Sequence, residues 1–119
     1  MDRAKAAQLL RAELDQHGLR EWDIRLNPLS LDARMQYMGL CSYQDKCIIL
    51  NAHHVDLHDE KAILNTIKHE VAHALTPGHG HDEIWAAKAH ELGCYHVAPK
   101  RRESALLRSH HLHVHECLG

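Results

Sequence analysis

Residues 58–81 read HDEKAILNTIKHEVAHALTPGHGH. Ile63, Leu64, Ile67, Val71, Ala74 and Leu75 recur at helical spacing. On a projection that turns about 100° per residue they form a stripe about 120° wide. The segment from His58 to Thr76 is therefore predicted to be one amphipathic helix, with Asp56 as the side-chain acceptor for its first turn. Pro77-Gly78 ends it, because proline restricts the residue before it and glycine tolerates the backbone that leaves a helix. The same rotation sets His69 and His73 within roughly 40° of one another and one turn apart, close enough to share a metal ion. Glu70 falls at the boundary between the packed face and the histidine face.

This spacing carries a specific chemistry. Zinc accepts neutral imidazole nitrogens, and a catalytic zinc keeps three protein ligands while leaving a further position to water. A third ligand is therefore required, and His79 and His81 follow on the turn after Pro77-Gly78. Either can fold back onto the ion. Glu70 would then act as general base towards a water made acidic by zinc, which is the chemistry of peptide-bond hydrolysis. A bare HExxH sequence also arises by accident on amphipathic helices, the more so in a chain with 14 histidines. Three features set this copy apart: its helical phase, the stop directly after it, and the histidines on the turn.

Around this helix the chain has room for one domain. It has 119 residues, 45% of them apolar, with no phenylalanine, so the core must be built mainly from Leu, Ile, Val, Met and Ala. Asp2 can cap a first helix, Arg3 to His17, carrying Ala6, Leu9, Leu10 and Leu14 on one side and stopped by Gly18. Trp22, Ile24 and Leu26 alternate with polar residues as a half-buried strand ended by Asn27-Pro28, and a loop follows through Asp32. Met35 to Tyr43 and Lys46 to Leu50 read as a hairpin turning at Gln44-Asp45. Asp82 can cap a last clear helix, Glu83 to Leu92, with Gly93 after it. Beyond lie Lys100-Arg101-Arg102, a short helical pattern through Arg108, and a histidine-rich end. This places one α+β domain at residues 1–98 and a basic, histidine-rich tail at 99–119, packed on the domain or extending from it. If extended, His111, His113, His115 and Cys117 fall on one side of a strand.

Charge and cysteine usage narrow the partners. The formal charge is −2, which gives no general field for nucleic acid or an anionic membrane, so any DNA contact is local. Lys100-Arg101-Arg102 reads as a solvated face. The N-terminus intersperses charges among its apolar residues, unlike a secretion signal, and no run approaches the ~20 apolar residues of a membrane span. A cytoplasmic protein with reduced Cys41, Cys47, Cys94 and Cys117 is expected. Trp22 and Trp85 read as core or cleft wall, and Cys41 and Cys47 as small buried residues. Tyr43 and Tyr95 are hydroxyls able to donate to an oxyanion. His53, His54, His58, His90 and His96 have no informative spacing.

Taken together, several stretches resemble the SprT-like zinc metallopeptidases, the family that includes the Spartan protease acting on DNA–protein crosslinks. The resemblance runs from about Trp22 to Cys94. It comprises the strand with Trp22, Gly39-Leu40-Cys41-Ser42-Tyr43 leading to Ile48-Ile49-Leu50-Asn51, then HEVAHAL, then Gly78-His79-Gly80-His81 and Trp85. It implies a small zincin-like domain with a short, mainly antiparallel sheet packed on helices, a zinc cofactor and a protein substrate. In that family the third zinc histidine stands about one helical turn before an aromatic, in patterns such as HGxEW or HGPEF, and Trp85 aligns it with His81. The resemblance thus implies His69, His73 and His81 as ligands. His79 has the spacing of the metzincin signature HExxHxxGxxH, which needs glycine where this chain has Thr76. Longer relatives continue into a cysteine-rich zinc ribbon. This chain has no CxxC pairs, so the DNA-linked role is not implied.

Two readings of other classes stand beside this one. A metal-dependent endoribonuclease of the YbeY type also fits His69, His73 and His79, although it does not use the glutamate of HExxH. A non-catalytic zinc module would close the coordination sphere with both His79 and His81, or with a cysteine.

Overall fold

Asp2 takes up an extended conformation and accepts a hydrogen bond from the backbone nitrogen of Lys5 at 3.3 Å, which starts helix α1, Arg3–Gln16. Gly18, with φ +77°, turns the chain out of that helix in a conformation few other residues adopt. A computed structural model of the chain describes residues 1–27, 37–95 and 114–118. After α1 come β1 (Asp23–Asn27), β2 (Tyr37–Ser42), β3 (Cys47–Asn51), α2 (Ala52–Leu57), α3 (Glu60–Leu75), α4 (Glu83–Leu92) and β4 (Val114–Leu118). The expected stop at Pro28, the loop through Asp32 and the first residues of the hairpin lie outside the described residues. So do Lys100-Arg101-Arg102, the pattern through Arg108, and His96, His111 and His113.

The strands form one sheet in the order β1-β3-β2-β4. β2 and β3 make the expected hairpin, with Gly39 opposite Leu50 and Cys41 opposite Ile48. β4 runs antiparallel to the other edge of β2, so part of the C-terminal tail joins the sheet, while β1 runs parallel to β3. The domain is thus α+β with a mainly antiparallel sheet packed on helices, in agreement with the sequence.

One local expectation is corrected, and one helix is new. The helix bearing HEVAH begins at Glu60, and its N-cap is Asp59, which accepts from the Ala62 nitrogen at 3.0 Å. Asp56 instead forms a two-pronged ion pair with Arg3, at 2.9 and 2.7 Å. Helix α2 has no counterpart in the sequence reading. Its six residues, AHHVDL, are too few to show a period, and its cap is Asn51 at the end of a strand, accepting from the His53 nitrogen at 3.0 Å.

α3 lies at the centre of the fold. Ile63, Ile67 and Val71 pack with Leu10 and Leu14 of α1, Ile48 and Leu50 of β3 and Val55 of α2, all wholly buried. Burying each such side chain stabilises the fold by about 1.5–3 kcal/mol. A smaller cluster, Ala72, Trp85, Ala86, Ala89 and Cys94, joins α3 to α4. The last turns of α3 are therefore held from both sides. Among the described residues no helix is long and apolar enough to cross a membrane.

Candidate metal centre

His69, Glu70 and His73 occupy the last two turns of α3, and Glu70 and His73 are wholly buried. The helix end is closed by local bonds. The His73 carbonyl accepts the Tyr43 hydroxyl at 2.6 Å and the Thr76 nitrogen at 3.1 Å, and the Thr76 hydroxyl donates to the Ala72 carbonyl at 2.8 Å. These bonds satisfy carbonyls that a helix end leaves without intrahelical partners. The Tyr43 proton is thereby committed to the backbone of His73. Tyr95 stands elsewhere, beside Lys61 and Asn65.

The chain then turns through Gly78, at φ +84°, and the His79 nitrogen donates to the Thr76 carbonyl at 3.2 Å. Asp82 starts α4 by accepting from the Trp85 nitrogen at 3.0 Å. His81, just before that cap, comes back onto α3. Its Nε2 lies 3.2 Å from Nε2 of His73, with the two rings 82° apart. His79 is directed elsewhere, its Nδ1 lying 2.8 Å from Asp82 Oδ2.

His69 shares this neighbourhood. Its ring lies against Trp85, 5.3 Å between centroids, and its Nε2 is buried with no hydrogen-bond partner. A buried polar atom left so costs about 1–3 kcal/mol. Desolvation holds the imidazole below its ordinary pKa, which favours the neutral form that binds metals. Among the described residues no three of His, Cys, Asp and Glu are already arranged to hold a metal ion. Of the three histidines marked by the sequence, His73 and His81 converge, and His69 stands against the same indole without joining them.

Glu70 faces the sheet. A Cβ built on Gly39 would lie 3.3 Å from Glu70 Cγ and 3.1 Å from the Ile49 carbonyl oxygen, so glycine in β2 is what lets the carboxylate sit so close. Cys41 is also near, and burial first, then the Glu70 charge and Cys47, push its thiol well above the ordinary range. Burial pushes Cys47 up as well, and Cys94 to about 12. All three are free thiols, and these shifts favour their protonated form.

Sequence reasoning missed two neighbours of the histidines and Glu70. One is Gly39, whose signal was a lone glycine within a strand. The other is Trp85, read as core or cleft wall and as the motif aromatic after His81, but not as a neighbour of the histidine rings. Its ring is stacked on His73 at 15° and 4.9 Å and is edge-on to His81 at 4.6 Å.

The chain is similar to known proteins in two ways. The SprT-like family model matches residues 10–105, a span that contains every residue of the centre. Among solved structures it resembles the crystal structure of the metallopeptidase zymogen jannalysin of Methanocaldococcus jannaschii, with a TM-score of 0.59 and 16% identity over 82% of this chain and 86% of that one. At this identity the likeness is one of fold. No curated protein matches.

Proposed function

The chain belongs to the SprT-like family, and from that premise we propose that it is a zinc-dependent peptidase, with His69, His73 and His81 as ligands and Glu70 as general base. The observation that carries this reading is the 3.2 Å approach of the His73 and His81 Nε2 atoms, with the His69 ring, its Nε2 buried and partnerless, against the same indole. The donor set fits the ion. Three neutral imidazoles suit zinc, and three protein ligands leave a position for water. Zinc bound there would supply Lewis acidity, acidifying a water and polarising a carbonyl.

The protein's own groups do the rest. Glu70 receives the proton of the attacking water on its carboxylate and returns it to the amide nitrogen as the C–N bond breaks. Tyr43, bonded to the His73 carbonyl, steadies the helix turn that carries His73. The missing Cβ of Gly39 leaves the room that Glu70 occupies. Gly39→Ala should therefore retain zinc while losing about 10- to 100-fold in turnover, since small misplacements of a catalytic group cost that much. Zinc content and cleavage rate measured on the same preparation check this, and unchanged turnover would show that the close contact does not matter.

The substrate is protein, and with a charge of −2 any DNA contact is local. The ribonuclease reading needs His79, which pairs with Asp82. The closed-module reading needs a fourth protein ligand. Incubating zinc-loaded protein in parallel with casein and with RNA separates these readings. Peptide fragments that vanish with a chelator and return with zinc support the peptidase. Cleaved RNA with intact casein would replace it by a ribonuclease, and inertness towards both would leave the closed module.

A further inference from the structure

The three imidazoles have one neighbour in common. Trp85 is 2% exposed, and its indole lies 4.6 Å from the His81 ring, 4.9 Å from His73 and 5.3 Å from His69. It stacks on His73, while His69 and His81 meet it at 66° and 85°. Both ends of the residue are fixed. Its backbone nitrogen is bonded to Asp82, and its Nε1 donates to the carbonyl of His69 at 3.4 Å. The alanines around it, Ala72, Ala86 and Ala89, make room for a ring of this size between α3 and α4.

We propose that Trp85 is a positioning residue of the metal centre, its indole orienting the three imidazoles and so setting the affinity for zinc. The proposal rests on the peptidase reading above. Stacked and edge-on contacts are the favoured geometries between aromatic rings, so each imidazole gains by keeping the orientation the indole offers. An imidazole that gives its lone pair to a cation becomes electron-poor, which strengthens its attraction to an electron-rich indole face. His73, the stacked ring, gains most. Asp82 ties the parts together, because one cap fixes both His81, the residue before it, and Trp85 in the first turn. A tryptophan that only fills the gap between helices would affect folding and leave the zinc affinity of folded molecules alone.

The test measures zinc affinity by competition with a chromophoric chelator in the full chain carrying Trp85→Phe or Trp85→Leu, alongside thermal unfolding of the metal-free forms. Groups that orient metal ligands typically change affinity 10- to 100-fold when replaced. Trp85→Leu should bind zinc that much more weakly per folded molecule, with Trp85→Phe between it and the parent. The chain has two tryptophans, so a Trp22→Phe chain reports the emission of Trp85 alone. That emission should change on zinc addition and saturate at one ion per chain, and this holds even if Trp85→Leu does not fold. Parent-like affinity in folded Trp85→Leu, or emission indifferent to bound zinc, would overturn the proposal while leaving the peptidase reading intact. A parent chain that binds no zinc would overturn both.

Discussion

Glu70→Gln should bind one zinc ion as tightly as the parent chain and cleave casein about 10²- to 10⁴-fold more slowly, the usual contribution of a positioned general base. Glutamine has nearly the shape of glutamate, so it fits the space that Gly39 leaves open. It can donate and accept hydrogen bonds, but it cannot take a proton from water at neutral pH. The carboxylate is not among the proposed ligands, which is why metal content and turnover should separate. Zinc titration and cleavage rates on one preparation decide the matter. Undiminished cleavage would remove Glu70 from the mechanism, and loss of zinc together with activity would make it a ligand instead.

The second large effect divides two histidines that the sequence spaces almost equally well. His81→Ala should lose most of the zinc, because it leaves only His69 and His73 to hold the ion. His79→Ala should keep it. The partner of His79 is Asp82, and both side chains are more than a third exposed, at 37% and 38%. Exposed pairs of this kind contribute only about 0–1 kcal/mol. Asp82 would still cap α4 through the Trp85 nitrogen. Bound metal counted by atomic absorption after gel filtration checks both variants. Full retention by His81→Ala would take His81 out of the centre, and loss by His79→Ala would put His79 in it.

Much of this architecture was legible because local chemistry spoke clearly. Asp2 and Asp82 cap α1 and α4 as their positions suggested, and Gly18 and Gly93 take the positive φ that ends those helices. The apolar stripe of α3 gave the phase of His69, Glu70 and His73 without reference to the rest of the chain. What was misread depends on distant partners. Asp56 and Asp59 are equally good caps in isolation, and it is Arg3, from the far end of the sequence, that takes Asp56. The parallel pairing of β1 with β3 is likewise a choice among strands that no single strand encodes.

The centre divides along the same line. Spacing alone admitted His79 and His81, and their surroundings differ: His81 lies against His73, while Asp82, whose carboxylate also caps a helix, pairs with His79. The closeness of Gly39 to Glu70 is a contact between a strand and a helix far apart in sequence, beyond the reach of periodicity. Trp85 was visible as a motif residue, but its contact with all three rings exists only once α4 has packed on α3.

The most direct test is anomalous diffraction at the zinc edge from crystals of the zinc-loaded protein. One ion is expected about 2.0–2.1 Å from a nitrogen of each of His69, His73 and His81, with a coordination position facing solvent and His79 still paired with Asp82. No ion among these rings, an ion bound by His79 in place of His81, or a sphere closed by a fourth protein ligand would contradict the account.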